Sequence, residues 1–563
     1  MKSETSFSFR RSRRRVGVSD NAGETGMTID THGGEPATAS RLPAAASAVA
    51  IAIAGGIVVA MMPLSALGQS QNPGLGLPGL SYANDVEVAA AAANQATFDA
   101  LDPVCNPGGV YDTDPEPGAP PLGSACSADH FFVYLNTREL VHSANELRGS
   151  GASVASLGLD QQGLGTALRW TAAEELAALG SMATDFTNSQ LANLSQHFNM
   201  FRLATAAFPS TAYFRIDPNR DRLLAAAQGD PDTGAGAEEG TGETFSRWSA
   251  FLNGGFGYGR REPTGLEDAF DFDGSELTLG VDWRLDGDLV VGALLGLGEQ
   301  SVDFDETASP ISVVDGRIES DASSLIVFAF RQGPRLSLSG SIGMQSVDYE
   351  ITRNIKYPSF NPDTESANSI ANSRPDADIT TATMSAGYAV SRNRFTFEPI
   401  VYLEYVDITV NAFNEERSIN LLSDSSVSKR FDLGVSKQRI ESLDASLGLR
   451  FQYVFTPGFG VAIPYLSLEA HRELEDNART ITTGFAAVAD ILGTNTFTVP
   501  TDFPDSSYSV SSLGVSVILR GGRQREPGGV IAGGLSAFVQ LKAIRGLRHY
   551  DDDVITGGFR YEF

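Results

Sequence analysis

Cysteine is scarce in this sequence, with two residues among 563. A chain with so few cysteines is not a disulfide-rich scaffold. Cys105 and Cys126 flank a stretch rich in proline, glycine and aspartate, which a helix does not cross. In an exported protein the simplest role for this pair is a disulfide that closes the loop, and we predict one. A redox or metal pair is the alternative, with His130 as the further ligand nearby.

Positive charge is also in short supply. The sequence has 41 lysines and arginines against 69 aspartates and glutamates, which gives a formal net charge of −28. A nucleic-acid partner requires a basic surface to neutralise its phosphates. The composition therefore excludes nucleic acid as a partner.

Recognisable catalytic motifs are missing as well. No serine lies in a Gly-x-Ser-x-Gly elbow, and no His-Glu-x-x-His sequence occurs. The six histidines lie apart from any nucleophile motif; they are His32, His130, His142, His197, His471 and His549. The run Asp551-Asp552-Asp553 fits a solvated turn better than a cation site. We therefore predict no enzyme activity, no cofactor and no metal site.

A period of two is abundant in the second half of the chain. In the final stretch Ile555, Gly557, Phe559, Tyr561 and Phe563 share one face, and charged or small residues share the other. Such alternation indicates a strand, because successive side chains point to opposite faces. The stretches 276–285 and 444–453 repeat the pattern. Alternation over about ten residues, repeated between turns, is typical of a transmembrane β-barrel.

The alternation predicts an all-β transmembrane barrel of about twelve antiparallel strands across residues 245–563. The predicted strands begin near Phe245, Phe272, Leu289, Ile318, Arg335, Ile379, Arg394, Arg439, Gly460, Tyr508, Gly533 and Val554. Long polar connections near 303–317, 353–376, 411–437 and 473–506 alternate with tight turns. Outer-membrane barrels alternate surface loops with periplasmic turns in this way.

The beginning of the chain has the layout of a secretory signal peptide. A basic cluster at Arg10–Arg15 precedes an apolar run from Ala44 to Met62, and small residues follow. We predict a signal peptide over residues 1–68 with an extended n-region, cleaved between Gly68 and Gln69. A membrane anchor is the competing interpretation, and translation from Met27 is an alternative start.

A small α-helical region is predicted between the signal peptide and the barrel, at 69–208. Helices are expected near 82–101 and 131–147, and a third is expected to begin at a capping box formed by Thr171 and Glu174. This third helix has apolar residues at helical spacing and small polar residues between them, including Asn188 and Asn193. It fits either the core of a helical domain or a helix that threads the barrel lumen. An acidic, glycine-rich flexible linker is predicted at 209–244.

The sequence of these parts, closing on Phe559-Arg560-Tyr561-Glu562-Phe563, resembles an autotransporter (type V secretion) outer-membrane protein. The resemblance covers about residues 164–563. It implies a twelve-stranded barrel in the outer membrane of a Gram-negative bacterium, in contact with lipid. It also implies that Phe559, Tyr561 and Phe563 form the signal read by the barrel assembly machinery, with periplasmic chaperones as further partners.

The resemblance further implies a mechanism. The helix before the barrel, with Thr171, Glu174, Asn188 and Asn193, would occupy the pore after the N-terminal passenger has crossed to the cell surface. The chain differs from large family members because it lacks a long β-helical passenger, and it lacks the paired asparagines that some relatives use for self-cleavage. We therefore expect a barrel that translocates or displays a short helical passenger. A non-secreting barrel with a periplasmic helical plug is the alternative.

Overall fold

The computed structural model describes residues 76–107, 125–207, 248–285, 289–304, 316–421, 430–457, 460–475, 477, 479–493, 497–520, 523–524, 531–532 and 534–563. The predicted signal peptide, its cleavage position between Gly68 and Gln69, and the predicted linker at 209–244 lie outside these residues.

Twelve long strands form a closed barrel. They are β1 (Trp248–Arg261), β2 (Phe270–Arg284), β3 (Leu289–Phe304), β4 (Gly316–Gln332), β5 (Leu336–Tyr357), β6 (Asp376–Tyr388), β7 (Phe395–Val410), β8 (Gln438–Tyr453), β9 (Val461–Glu473), β10 (Ser507–Arg520), β11 (Gly534–Arg545) and β12 (Tyr550–Glu562). Each pairs antiparallel with the next. β1 also pairs with β12, with Leu252 opposite Phe559, and this closes the sheet.

The predicted fold class is therefore confirmed. The largest difference in strand position is at β12, which begins at Tyr550 rather than near Val554. Further short strands lie in the connections, at Ala367–Ser373, Val390–Arg392, Phe413–Asn414, Ile419–Asn420, Leu433–Val435, Thr480–Phe485, Phe497–Pro500, Arg523–Gln524 and Ile531–Ala532.

The two ends of the barrel differ. At one end, here called the turn end, the strands are joined through residues 286–288, 333–335, 389–394, 454–460 and 521–533. At the other, the loop end, they are joined through residues 262–269, 305–315, 358–375, 411–437, 474–506 and 546–549. β1 starts and β12 finishes at the turn end.

The helices precede the barrel in sequence. They are α1 (Asp85–Cys105), α2 (Ala128–Leu147), α3 (Gln161–Trp170) and α4 (Ala178–Ala207), with 3₁₀ turns at Leu77–Gly79 and Glu174–Ala177. A further 3₁₀ turn at Ala486–Val488 leads into α5 (Ala489–Leu492). The side chains of Asn84, Ser127 and Asp160 accept a backbone N–H at the starts of α1, α2 and α3.

The capping box predicted at Thr171 and Glu174 is wrong. Thr171 follows the last residue of α3, and its hydroxyl donates to the carbonyl of Leu168 at 2.7 Å. Ala173 then has a φ of 59°, a left-handed conformation that interrupts the helical path. The long helix therefore begins at Ala178, and Glu174 lies in the 3₁₀ turn before it.

Strands β2 to β7 change polarity part of the way along. On β5 the apolar residues of the turn-end half, Leu336 to Met344, face outward and are exposed. Beyond Ser346 the apolar residues are Val347, Tyr349, Ile351, Ile355 and Tyr357, and these face inward and are buried. The turn-end half of β5 thus has an apolar exterior and a polar interior, and its loop-end half has the reverse arrangement.

The exterior of the other strands in this wall follows the same rule. Their interior differs, because apolar residues of β3 and β4 also face inward at the turn end and pack on α4: Val290, Leu294, Ile326, Phe328 and Phe330. On β4, Leu325 and Val327 are about half exposed on the outside, whereas Ile318, nearer the loop end, is fully buried on the inside. We call the turn-end half the membrane zone, with outward apolar positions 277–283 on β2, 295–297 on β3, 325–329 on β4 and 336–344 on β5. On β5 the membrane zone is about nine residues long, which is the length that a tilted strand needs to cross a bilayer.

Candidate functional site: the barrel lumen and its helix

Helix α4 lies inside the barrel and runs along its length. Near its first turn, the hydroxyl of Tyr349 donates to the carbonyl of Leu179 at 2.9 Å. Near its last turns, the Arg202 guanidinium donates to the hydroxyls of Ser337 and Ser385, each at 3.2 Å. Tyr349 belongs to the loop-end half and the two serines lie at the turn end. The helix therefore enters at the loop end and reaches the turn end.

Two of the predicted pore-helix residues lie on α4 in the lumen. Asn193 is fully buried, and its amide donates to the hydroxyl of Thr278 on β2 at 3.0 Å. Asn188 borders two cavities beside the helix. Thr171 and Glu174 instead lie before the helix, where the chain enters the barrel.

A hydrophobic core fills the loop-end half of the barrel. Inward residues of the strands, such as Val347 and Ile351, share one core with the helices. Helical members of this core include Leu77, Leu101, Phe131, Leu140, Leu164 and Leu176. The helical region α1–α3 is therefore packed into the barrel rather than attached to it by a linker alone.

Charged side chains are also buried beside this core. Arg353 on β5 is fully buried; its Nη2 donates to Glu415 at 2.6 Å and to the carbonyl of Phe431 at 2.8 Å. Its Nε also lies 3.5 Å from Glu175. Because removal from water disfavours the charged form, burial raises the pKa of Glu175, although the Arg353 charge opposes this.

A second buried group ties the start of α4 to the first loop. Nε of Arg169 lies 2.5 Å from Glu174, and Nη2 lies 3.0 Å from Asp268. Burial and the neighbouring charge of Asp268 raise the pKa of Glu174. Ion pairs of this kind hold the entry of the helix in a fixed position, because breaking one leaves an unpaired buried charge.

Two cavities lie on one side of α4. The larger, of about 630 Å³, lies towards the loop end and is bordered by Thr184, Asn188, Glu404 and Arg479, among others. The smaller, of about 150 Å³, extends deeper and is bordered by Asn188, Ser195, Asn199 and Arg450, among others. Arg450 donates to Asn199, which also accepts from Arg202 at 3.1 Å. These contacts lie between the smaller cavity and the turn end.

His471 has partners that the sequence did not reveal. Its Nδ1 lies 2.8 Å from Asp444 on the neighbouring strand, and its Nε2 lies 3.5 Å from Glu469. The ring also stacks on Tyr508 at 4.6 Å between centroids. The pair Ser446 and His471 is in register across β8 and β9, so Asp444 is two residues away. Only the strand register, not sequence spacing, brings these residues together.

The remaining predicted site residues lie at opposite ends of the molecule. The sulfurs of Cys105 and Cys126 are 1.92 Å apart and form a disulfide between α1 and the segment before α2. On β12, Phe559, Tyr561 and Phe563 point outward and are 57%, 42% and 57% exposed. They lie in the membrane zone at the turn end.

Within the described ranges, no helix combines the length and the apolar character needed to span a membrane. Those ranges also contain no group of three or more histidine, cysteine, aspartate or glutamate side chains arranged to hold a metal ion.

The barrel matches a known protein family and known structures. Residues 250–522 match the family model of the autotransporter β-domain. The translocator domain of the autotransporter NalP from Neisseria meningitidis is 14% identical, with a TM-score of 0.40, over 57% of this chain and 91% of that one. The transport unit of the autotransporter AIDA-I from Escherichia coli is 11% identical, with a TM-score of 0.34, over 61% and 97%. No curated protein matches the chain by sequence.

The family match and the closed barrel with its outward apolar zone lead to the same conclusion. A closed sheet satisfies every backbone hydrogen bond between strands, which is the condition for strands to cross a bilayer. The chain is therefore an outer-membrane barrel protein of a Gram-negative bacterium, and residues 250–522 of it match the autotransporter β-domain.

Proposed function

We propose that the protein holds its own N-terminal helical region, α1–α3, at the cell surface. The observation that carries this proposal is the course of α4, which links the helical core at the loop end with the turn end. In outer-membrane barrels the short turns face the periplasm and the long loops face outward. With that orientation α1–α3 stand outside the cell, and α4 is the segment left in the pore after translocation.

Display, rather than release, fits the contacts of the helical region. Its apolar side chains complete a core whose other members belong to the barrel strands. Its C-terminal end is fixed by the buried contacts of Arg169 with Glu174 and of Arg353 with Glu175. A cut in the connection between α3 and α4 would leave these contacts in place, so the helical region would remain bound to the barrel.

The alternative is a non-secreting barrel with the helical region as a periplasmic plug. A helix inside the lumen fits that function too. The two proposals differ in the orientation of the loop end, and therefore in which side of the membrane carries α1–α3.

Protease treatment of intact cells decides between them. An epitope tag is inserted near Gln71 in one version, at 310 in the loop-end connection of a second, and between Asp286 and Gly287 in a third. We expect the first two tags to be cut on intact cells, and the third only after the outer membrane is permeabilised. If the tags near Gln71 and at 310 both survive on intact cells while the tag at 286–287 is cut, the display proposal fails and the periplasmic plug is supported.

We also propose that Phe563, with Phe559 and Tyr561, forms the signal through which periplasmic chaperones and the barrel assembly machinery receive the chain. The aromatic side chains face outward on the closing strand, where an assembly factor can reach them. Phe563→Asp is expected to reduce the amount of heat-modifiable, membrane-inserted barrel several-fold. Phe395→Asp is the matched control, because Phe395 is also an outward aromatic at the turn end. Equal losses in both variants would contradict a role specific to the last strand.

A catalytic role is not part of this proposal. His471, one of the histidines in the lumen, has a carboxylate facing each ring nitrogen, which is typical of a structural charge network. Neither the barrel nor the helical region requires a cofactor for display.

A further inference from the structure

The pairing of β1 with β12 is the seam of the barrel. Every other neighbouring pair is joined by a connection within the β-domain, which keeps its two strands close together. The seam has no such connection, so its two strands must be held by contacts alone, at a larger cost in chain entropy.

Glycine interrupts the side-chain pairs of the seam. Gly254 lies opposite Gly557, Asn253 opposite Gly558, and Gly257 opposite Val554. Cross-strand side-chain pairs are a main source of sheet stability, and glycine contributes none. The strand pair with the greatest need for contacts therefore lacks side-chain pairs at these positions.

One face of α4, here called the seam face, lies against β1 and β2, beside this seam. The face consists of Gln190, Asn193, His197 and Phe201, which recur at helical spacing. The ring of His197 stacks on Phe251 of β1 at 3.7 Å, and its Nε2 lies 3.2 Å from Asp282 of β2. The amide of Asn253 on β1 donates to the carbonyl of Asn193 at 3.4 Å.

The last strand joins the same cluster through Arg560. Its Nη2 donates to the hydroxyl of Ser249 on β1 at 2.7 Å and to Asp282 on β2 at 3.3 Å. Its guanidinium lies 4.7 Å from the ring centroid of Phe201 on α4. A single cluster thus connects the first, second and last strands with the helix.

The opposite face of α4, with Asn188, Ala192, Ser195 and Asn199, borders the 150 Å³ cavity. Of these four, Asn199 bonds to Arg450 and Arg202. A third, apolar side of the helix packs on β3 and β4 through Leu191, Leu194 and Phe198. We infer that α4 clamps the seam, so that pairing of the first and last strands in the folded protein depends on its seam face. This holds whichever side of the membrane carries α1–α3.

Hydrogen exchange followed by mass spectrometry tests the clamp in the full-length protein in detergent. The test variant is Asn193→Ala/His197→Ala, and the matched control is Asn188→Ala/Ser195→Ala on the cavity face. In the test variant we expect exchange of β1 and β12 to rise about fivefold or more, as a loss of one or two interactions of ordinary strength implies. Exchange in β6 and β7, on the far wall, is expected to stay within twofold of the unmodified protein.

Two results would overturn the inference: unchanged exchange at β1 and β12, or an equal rise in all strands. If the double variant does not insert, the single change Asn193→Ala is measured in the same way. Introducing a cysteine pair at Gly254 and Gly557 offers a second measurement. Oxidation of that pair should restore the heat resistance of the test variant, whereas a pair at Ala386 and Val401 between β6 and β7 should not.

Discussion

Arg353 is fully buried although it lies on a barrel strand. Its guanidinium is satisfied by Glu415, by the Phe431 carbonyl and by the nearby Glu175. A buried arginine is tolerated only when it is paired and hydrogen-bonded in this way. The residue therefore fixes the positions of three separate parts of the chain: the entry of α4, a barrel strand and the connection between β7 and β8.

The ionisation of Glu175 makes this site sensitive to pH. Burial raises its pKa above the ordinary value of 4.5, so the folded protein holds a proton that the unfolded chain has already lost. The resulting stability is fully present below about pH 4.5 and is lost as the pH rises through the folded pKa. Hydrogen exchange in residues 161–177, corrected for intrinsic rates, is expected to be slower at pH 5.5 than at pH 8.

Glu175→Gln is expected to reduce this pH dependence, because the amide carries no charge at either pH. Arg353 keeps its two-oxygen contact with Glu415 in this variant. Glu350→Gln is the control, since Glu350 lies on the same strand but is exposed and paired with Arg374. A pH dependence unchanged in Glu175→Gln would assign the effect to other groups, with Glu174 the next to test.

At the scale of elements, α1 and α2 are joined by the disulfide of Cys105 and Cys126. For a loop of 21 residues, the loss of this crosslink removes about 3 kcal/mol of constraint on the unfolded chain. Cys105→Ala/Cys126→Ala is expected to make α1 and α2 more susceptible to protease while the barrel stays heat-modifiable. Reduction of the unmodified protein should have the same effect. Equal susceptibility before and after reduction would contradict this role.

The strands were predictable from the sequence and several junctions were not. Period-two alternation is a local property, so β3 and β9 begin within a residue of their predicted starts at Leu289 and Gly460. The capping box failed because a four-residue sequence signal does not report the left-handed φ of Ala173, which tertiary packing imposes. Contacts such as Asp282 with Arg560 depend on barrel closure and have no local signature.

The polarity change in β2 to β7 is visible in the sequence, but the predictions made from alternation do not include it. On β5 the apolar residues occupy even positions up to Met344 and odd positions from Val347 onward. The period of two is the same before and after the shift. A search for alternation alone therefore does not detect that the apolar residues move from one face of the strand to the other. The shift would have predicted that the loop-end half encloses an apolar core, and therefore that the preceding helices pack inside it.

At the scale of the whole molecule, α4 fills much of the lumen, and a polar cluster lies at its turn end. A chain lacking residues 76–207, with the seam held by the oxidised pair Gly254→Cys/Gly557→Cys, is expected to form an open pore in planar bilayers, whereas the complete chain should conduct little. A chain lacking only α1–α3 is the control, because α4 remains in place and should keep conductance low. High conductance of the complete chain would contradict the view that α4 and the contacts of Arg202, Asn199 and Arg450 close the lumen.

The phase shift on β5 also marks where the outer surface of this strand leaves the lipid. A shift of the molecule by two residues towards its turn end would bring Ser346 into lipid, and an equal shift towards its loop end would expose Met344 to water. One residue along a strand is about 3.3 Å. The arrangement therefore sets the depth of the protein in the membrane to within a few ångströms. Because β2 to β7 each carry such a shift, the residues that set the depth of this wall also restrain its tilt in the membrane.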